Sequence, residues 1–164
     1  MLTNIILFIA LAISFITDVK GRRILNAVTF PAIIIGLISN TVANGWDGFL
    51  YSSLGLLTGF AVLVIPYALN GMAAGDVKLM MAIGALKGSA FVFGSFLYIA
   101  VIGGIIAFII LISKRELKST IGRIFISARL KTLNSLNKHE YHHAFPYGVA
   151  IVLGTMSYFG VNFL

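Results

Sequence analysis

The chain alternates long apolar runs with short polar interruptions, and the runs have the length of membrane helices rather than of strands. Met1 to Thr17 is apolar and ends at Asp18-Val19-Lys20-Gly21-Arg22-Arg23. A secretory signal carries its positive charge before the apolar run and small residues after it. Here the charge comes after, so residues 2–17 read as a retained first span. Residues 24–43 form a second run, closed by Asn44-Gly45-Trp46-Asp47-Gly48, a turn-rich connector with an interfacial tryptophan. Residues 49–69 form a third, with Pro66 placed to kink its last turn.

Beyond the polar stretch Asn70 to Lys78, apolar character runs from Leu79 to Ile112, broken only at Lys87-Gly88-Ser89. A span takes about 20 apolar residues, so this stretch is too long for one. It divides into a short fourth span, 77–86, and a fifth, 90–112, the fourth having the length of a half-span. A basic segment, 113–143, follows, and residues 144–164 make the sixth span. Within the basic segment Leu117, Ile121, Ile124 and Ala128 recur at helical spacing among the lysines and arginines, as in an amphipathic helix lying on anionic lipid.

Composition agrees with this pattern: 59% of the 164 residues are hydrophobic, 10% are charged, and the mean hydropathy is +1.01. Soluble domains carry about 25% charged residues, so this chain cannot wet a globular surface. The expected architecture is a single all-α polytopic membrane domain, 1–164, of about six transmembrane helices plus the basic amphipathic cytoplasmic segment. With no cysteine, thiolate zinc sites, iron–sulfur clusters and thiol nucleophiles are excluded. The net charge of +7 is explained by topology rather than by a nucleic-acid partner. With the N-terminus outside, Lys20, Arg22, Arg23, Lys78, Lys114, Arg115, Lys118, Arg123, Arg129, Lys131 and Lys138 fall inside and only Lys87 outside. Both termini are therefore expected outside, with Asp18 and Asp76 at the cytoplasmic face.

Of the five acids, Asp47 sits in a turn and Glu116 and Glu140 lie among basic residues. Asp18 and Asp76 differ because each abuts an apolar span, where an ionised carboxylate is costly and usually functional. Asp18 also reads as a solvated helix end, and Asp76 as an N-cap. Asp76 follows Gly71-Met72-Ala73-Ala74-Gly75, small residues that admit another backbone, with Gly75 free to take dihedrals closed to other residues. Two carboxylates that meet at one membrane face share a proton, so that one acts as base toward water while the other polarises a carbonyl.

These residues resemble a known family. Asp18-Val19-Lys20-Gly21-Arg22-Arg23-Ile24-Leu25-Asn26 and Gly75-Asp76-Val77-Lys78-Leu79-Met80 are similar to the paired aspartate motifs of type IV prepilin peptidases, membrane aspartic proteases of the G-x-G-D class, in their short Tad-type branch. Phe145-Pro146-Tyr147-Gly148-Val149-Ala150 resembles a third family pattern. Ala73 stands at the first glycine of G-x-G-D, and Leu25 at a proline common before the asparagine. The resemblance implies an aspartic endopeptidase with Asp18 and Asp76 as catalytic pair, Gly75 and Gly71 easing substrate access, and Lys78 tuning the pair or contacting lipid phosphate. It implies a prepilin or pseudopilin substrate, cut at the cytoplasmic face of a prokaryotic inner membrane, with membrane lipid as surroundings and no cofactor. Longer relatives carry a cysteine-rich zinc element and N-methylate the new terminus; without cysteines this chain is expected to lack both.

Two other readings compete. His139-Glu140-Tyr141-His142-His143 matches H-E-x-x-H, in which His139 and His143 would bind zinc and Glu140 would activate water. Pro146 would end that helix at once, and no Asp, Glu or His follows to complete the ligands. A small transporter or scaffold would instead use Asp18 and Asp76 as ion or proton ligands.

Overall fold

The computed structural model describes residues 2–69, 71–113 and 147–163. These form four helices: α1 (Leu2–Gly21), α2 (Asn26–Ala68), α3 (Ala74–Ser113) and α4 (Tyr147–Phe163). The first three are long and apolar enough to cross a membrane. The helix boundaries alone do not give six spans: the second and third expected spans fall within α2, and the fourth and fifth within α3, each of these ranges being two helical segments that meet at a glycine. The sixth corresponds to α4, whereas the basic segment 113–143 and the His139, Glu140 and His143 cluster lie essentially outside the described residues. Residue 113 alone is described, as the last of α3.

Neither long helix is a straight rod. Gly45 has φ 59° and ψ −134°, and Gly88 has φ 80° and ψ 174°, backbone regions that essentially only glycine occupies without strain. At Gly45 the chain turns back on itself. Asn40 Nδ2 donates to Ser52 Oγ at 2.8 Å, and Ser52 Oγ donates to the Gly36 carbonyl at 3.2 Å. Sixteen residues of straight helix would separate those last two groups by about 24 Å.

The same reasoning fixes the rest. Residues 26–44 run alongside 74–87, since Asn26 meets Lys78 and Asn40 reaches the Ala85 carbonyl at 3.2 Å. Residues 46–68 run the opposite way, Gly55 against Gly84 and Gly59 against Met80, backbone on backbone. Small residues allow such approach where lipid supplies no hydrophobic drive between helices. Past Gly88, α3 returns antiparallel to α4, with Gly94 against Tyr158, Ile99 against Gly154 and Gly103 against Ala150.

Residues 77–86 are the centre of the bundle. Val77, Leu79, Met80, Ala82, Ile83, Ala85 and Leu86 are all buried, joined by Leu7 and Leu11 of α1 and Ile151 of α4. A helix that is apolar all round and buried all round needs no lipid-facing stripe, which explains why this stretch reads as a short span. The outer helices do carry such stripes: Ile5, Ile9, Ile13 and Ile16 on α1, and Phe93, Leu97, Val101, Ile105 and Phe108 on α3, are exposed. In water a surface of this kind would be an aggregation site; in a bilayer it is the solvent contact.

One local expectation changes. The first helix runs four residues past 17, to Gly21, so Asp18 lies inside its last turn rather than after its end. Pro66 lies in the last turn of α2, as expected; the helix ends at Ala68 and closes through Leu69 N–H to the Ile65 carbonyl (3.1 Å) and Gly71 N–H to the Pro66 carbonyl (2.9 Å).

Candidate active site at one end of the bundle

Three helix ends converge around the two acids. Asp18 is 6% exposed and Asp76 5% exposed. Asp18 projects from the last turn of α1 into the first turn of α4, where Oδ2 accepts a hydrogen bond from Val149 N–H at 3.0 Å. First-turn N–H groups have no partner within their own helix and carry the positive end of its dipole, so they suit a carboxylate. Gly148 makes this approach possible: a Cβ there would lie 2.7 Å from both Cγ and Oδ2 of Asp18.

Asp76 is the third residue of α3. Its Oδ2 accepts from Ala73 N–H at 3.1 Å, and its own N–H donates to the Ala73 carbonyl at 3.1 Å. This is the reciprocal contact of a capping box, with the acid at the third helical position rather than at the N-cap. The first turn of α3 is thus closed by the same side chain that faces Asp18. The charge of Asp18 acts on Asp76, and that of Asp76 on Tyr147, the first residue of α4. One helix start is therefore coupled to both acids, to Asp18 through the amides of residues 148 and 149 and to Asp76 through the charge felt by its opening tyrosine.

The chain leaves the site through a strained residue. Arg22 has φ +50°, a left-handed backbone that a non-glycine residue rarely adopts. Its N–H donates to the Asp18 carbonyl at 2.8 Å, and its charge acts on the Asp18 carboxylate. Strain of this kind costs on the order of 1–2 kcal/mol.

The supporting glycines serve the chain's own packing. Gly75 has no left-handed backbone; a Cβ on it would stand 3.0 Å from Ile24 Cβ, so the space it leaves is filled by the first motif. Gly71 closes the end of α2. Lys78 donates to Asn26 Oδ1 at 2.9 Å and lies 5.1 Å from the centre of the Phe30 ring. Among the described residues there is no group of three or more metal-ligating side chains. Tyr147, Gly148 and Val149 stood in the third motif without an assigned part in the site. The signal was there in a glycine two residues after Pro146, at the start of an apolar run.

The type IV leader peptidase family matches the chain over residues 5–108, well over half its length and including both acids. The chain belongs to the type IV leader peptidase family. Leader peptidases of this family act on prepilins, and the membrane helices described above accord with such a substrate. The third motif, around Tyr147 and Gly148, lies beyond the matched residues. Neither the curated proteins nor the solved structures contain a match to the chain.

Proposed function

We propose that this leader peptidase is an aspartic endopeptidase in which Asp18 and Asp76 form the catalytic pair, removing the basic leader of Tad- or Flp-like prepilins at the cytoplasmic face of a prokaryotic inner membrane. The observation that carries the reading is the burial of two carboxylates at one end of the bundle, within reach of each other's charge. Two such groups do not both ionise cheaply, so one serves as base and the other as acid. The ionised carboxylate takes a proton from water as its oxygen attacks the scissile carbonyl carbon. The protonated one donates to the carbonyl oxygen. As the gem-diol collapses the C–N bond breaks, the proton taken from water passes to the leaving amine, and one hydroxyl re-forms the C=O by returning its proton to the carboxylate that had donated it.

The reversals at Gly45 and Gly88 support a chain that crosses the bilayer six times, with the acids at one end and Lys87 at the other. The excess of Lys and Arg on the side of the acids supports the cytoplasmic assignment. The absence of cysteine supports a peptidase without the zinc element and without N-methylation.

The test is coexpression in membranes with a Tad-type prepilin, reading leader removal by intact mass. Cleavage should be lost in Asp18→Asn and in Asp76→Asn and kept in Glu140→Gln. Cleavage retained in both aspartate variants and lost in Glu140→Gln would transfer the chemistry to the histidine cluster. A solute flux that depends on the two aspartates, with no leader removal by the wild type, would favour the transporter.

A further inference from the structure

The two aspartates sit on separate helices, and their own hydrogen bonds do not join those helices to each other. Asp18 is held by α4, and Asp76 by the backbone of its own first turn. What joins the two motifs directly is Lys78. Its Nζ donates to Asn26 Oδ1 at 2.9 Å, across 52 residues of sequence, and it lies 5.1 Å from the Phe30 ring centre one turn further along α2. Asn26 ends the motif that Asp18 begins, and Lys78 follows Asp76 by two positions.

Two residues along a helix turn the side chain by about 200°. Lys78 therefore leaves α3 on nearly the opposite side from Asp76, so its place in the site is mechanical. Beside it Gly75 packs on Ile24, with its virtual Cβ 3.0 Å from Ile24 Cβ and 3.4 Å from the Ile24 carbonyl oxygen. One strap and one backbone contact thus fasten the first turn of α3 to the link between α1 and α2.

We propose that Lys78 and Asn26 are positioning residues that set the separation of Asp18 and Asp76 by strapping the start of α3 to the start of α2. This rests on the aspartic-pair reading. A lysine suits the task because its cation both bonds the amide oxygen and sits over an aromatic face. The alternative role, a contact to lipid phosphate, would use the same charge without Asn26.

The experiment measures kcat and KM for leader removal together with a distance between the two helices that the strap joins. The chain has no cysteine, so spin labels can be placed on cysteines introduced at the exposed Ala27 and Ala74. Displacement of a catalytic group by about 1 Å can cost about 100-fold in rate. Lys78→Met and Asn26→Ala should each lower kcat by about 10- to 100-fold with KM changed by less than about threefold, and should broaden the Ala27–Ala74 distance distribution. Asn26→Asp keeps the acceptor and should keep both kcat and the narrow distribution. Lys20→Met removes an exposed charge from the same face and should match the wild type.

Wild-type kcat in Lys78→Met or in Asn26→Ala would overturn the proposal, as would a lowered kcat with an unchanged distance distribution. Equal losses in Lys20→Met and Lys78→Met, with Asn26→Ala unaffected, would assign the charge to lipid instead. Should Lys78→Met fail to fold, Asn26→Ala, a truncation at an exposed position, carries the test. Failure of the underlying reading is separable: Asp76→Asn would then still cut, while the label distances would still report the strap.

Discussion

The central rod, residues 74–87, carries the same device at both ends. At the acid end Lys78 donates to Asn26 and lies over Phe30; at the far end Lys87 donates to Asn4 Oδ1 at 2.7 Å and lies 4.9 Å from the Phe159 ring centre and 5.4 Å from that of Phe91. Each lysine ties the rod to a neighbouring helix through an amide oxygen and an aromatic face. What surrounds the two devices differs. The far end adds Tyr51, whose hydroxyl donates to the Lys87 carbonyl, and a glycine turn packed against that same ring. The acid end adds two buried carboxylates, a left-handed arginine and a helix start aimed at one of the acids. The far end spends its contacts on holding a turn, and the acid end carries backbone strain and buried carboxylates, features that cluster at functional sites.

The contrast predicts that damage at the acid end removes activity and spares the fold, whereas damage at the far end does the reverse. The largest effect is expected from Asp76→Ala, which should reduce leader removal by at least about 1,000-fold, the scale on which loss of a group that acts in a unit is felt. Its thermal unfolding in detergent should stay within a few degrees of the wild type.

Gly148→Ala comes next. Its methyl would meet the Asp18 carboxyl at 2.7 Å, so Asp18 must swing off the α4 amides, and kcat should fall about 100-fold. Gly148→Ala with wild-type kcat would mean that the α4 start does not hold the reactive carboxylate.

At the far end, Gly88→Ala combines a glycine-only backbone with a clash against Tyr51 and should destabilise the protein by about 3 kcal/mol. Activity per folded molecule should be unchanged below the shifted transition. Lys87→Met should cost about 1 kcal/mol of stability, through lost ring and amide contacts, with leader removal intact. If Lys87→Met instead abolished cleavage, the division between the ends would fail.

The smallest effect concerns Ser14, one turn before Asp18. Its hydroxyl is buried and has no hydrogen-bond partner among the described residues, whereas the hydroxyls of Ser39, Thr41 and Thr58 bond back to their own helix. Ser14→Ala should stabilise by up to about 1 kcal/mol, since it removes an unsatisfied buried group. Chemical denaturation reads that gain, and a loss instead would show that the hydroxyl is in use.

Much of the architecture was legible in the apolar pattern. The connector at residues 44–48 contains the Gly45 reversal, and the Lys87-Gly88-Ser89 interruption contains the Gly88 reversal. The count of lysines and arginines on each side placed Asp18 and Asp76 together, and the fold has them at one end. The pattern did not show that each reversal turns on a single glycine between two helical segments, because one glycine with positive φ is invisible to a hydropathy run. Nor did it show why 77–86 is short, since a segment wrapped by protein and one facing lipid have the same apolar composition.

Composition and periodicity by themselves determined a helical membrane protein, because a chain this poor in charge has no other solvent to fold in. The motif residues pointed to the two acids on the ground that intramembrane carboxylates are expensive. Only the tertiary structure decided what holds them. The amides of Gly148 and Val149 meet Asp18 across some 130 residues of sequence, and Lys78 meets Asn26 across 52. Such contacts depend on where helix ends fall in space, and a linear pattern of polar and apolar residues records periods along one helix, not the register between two.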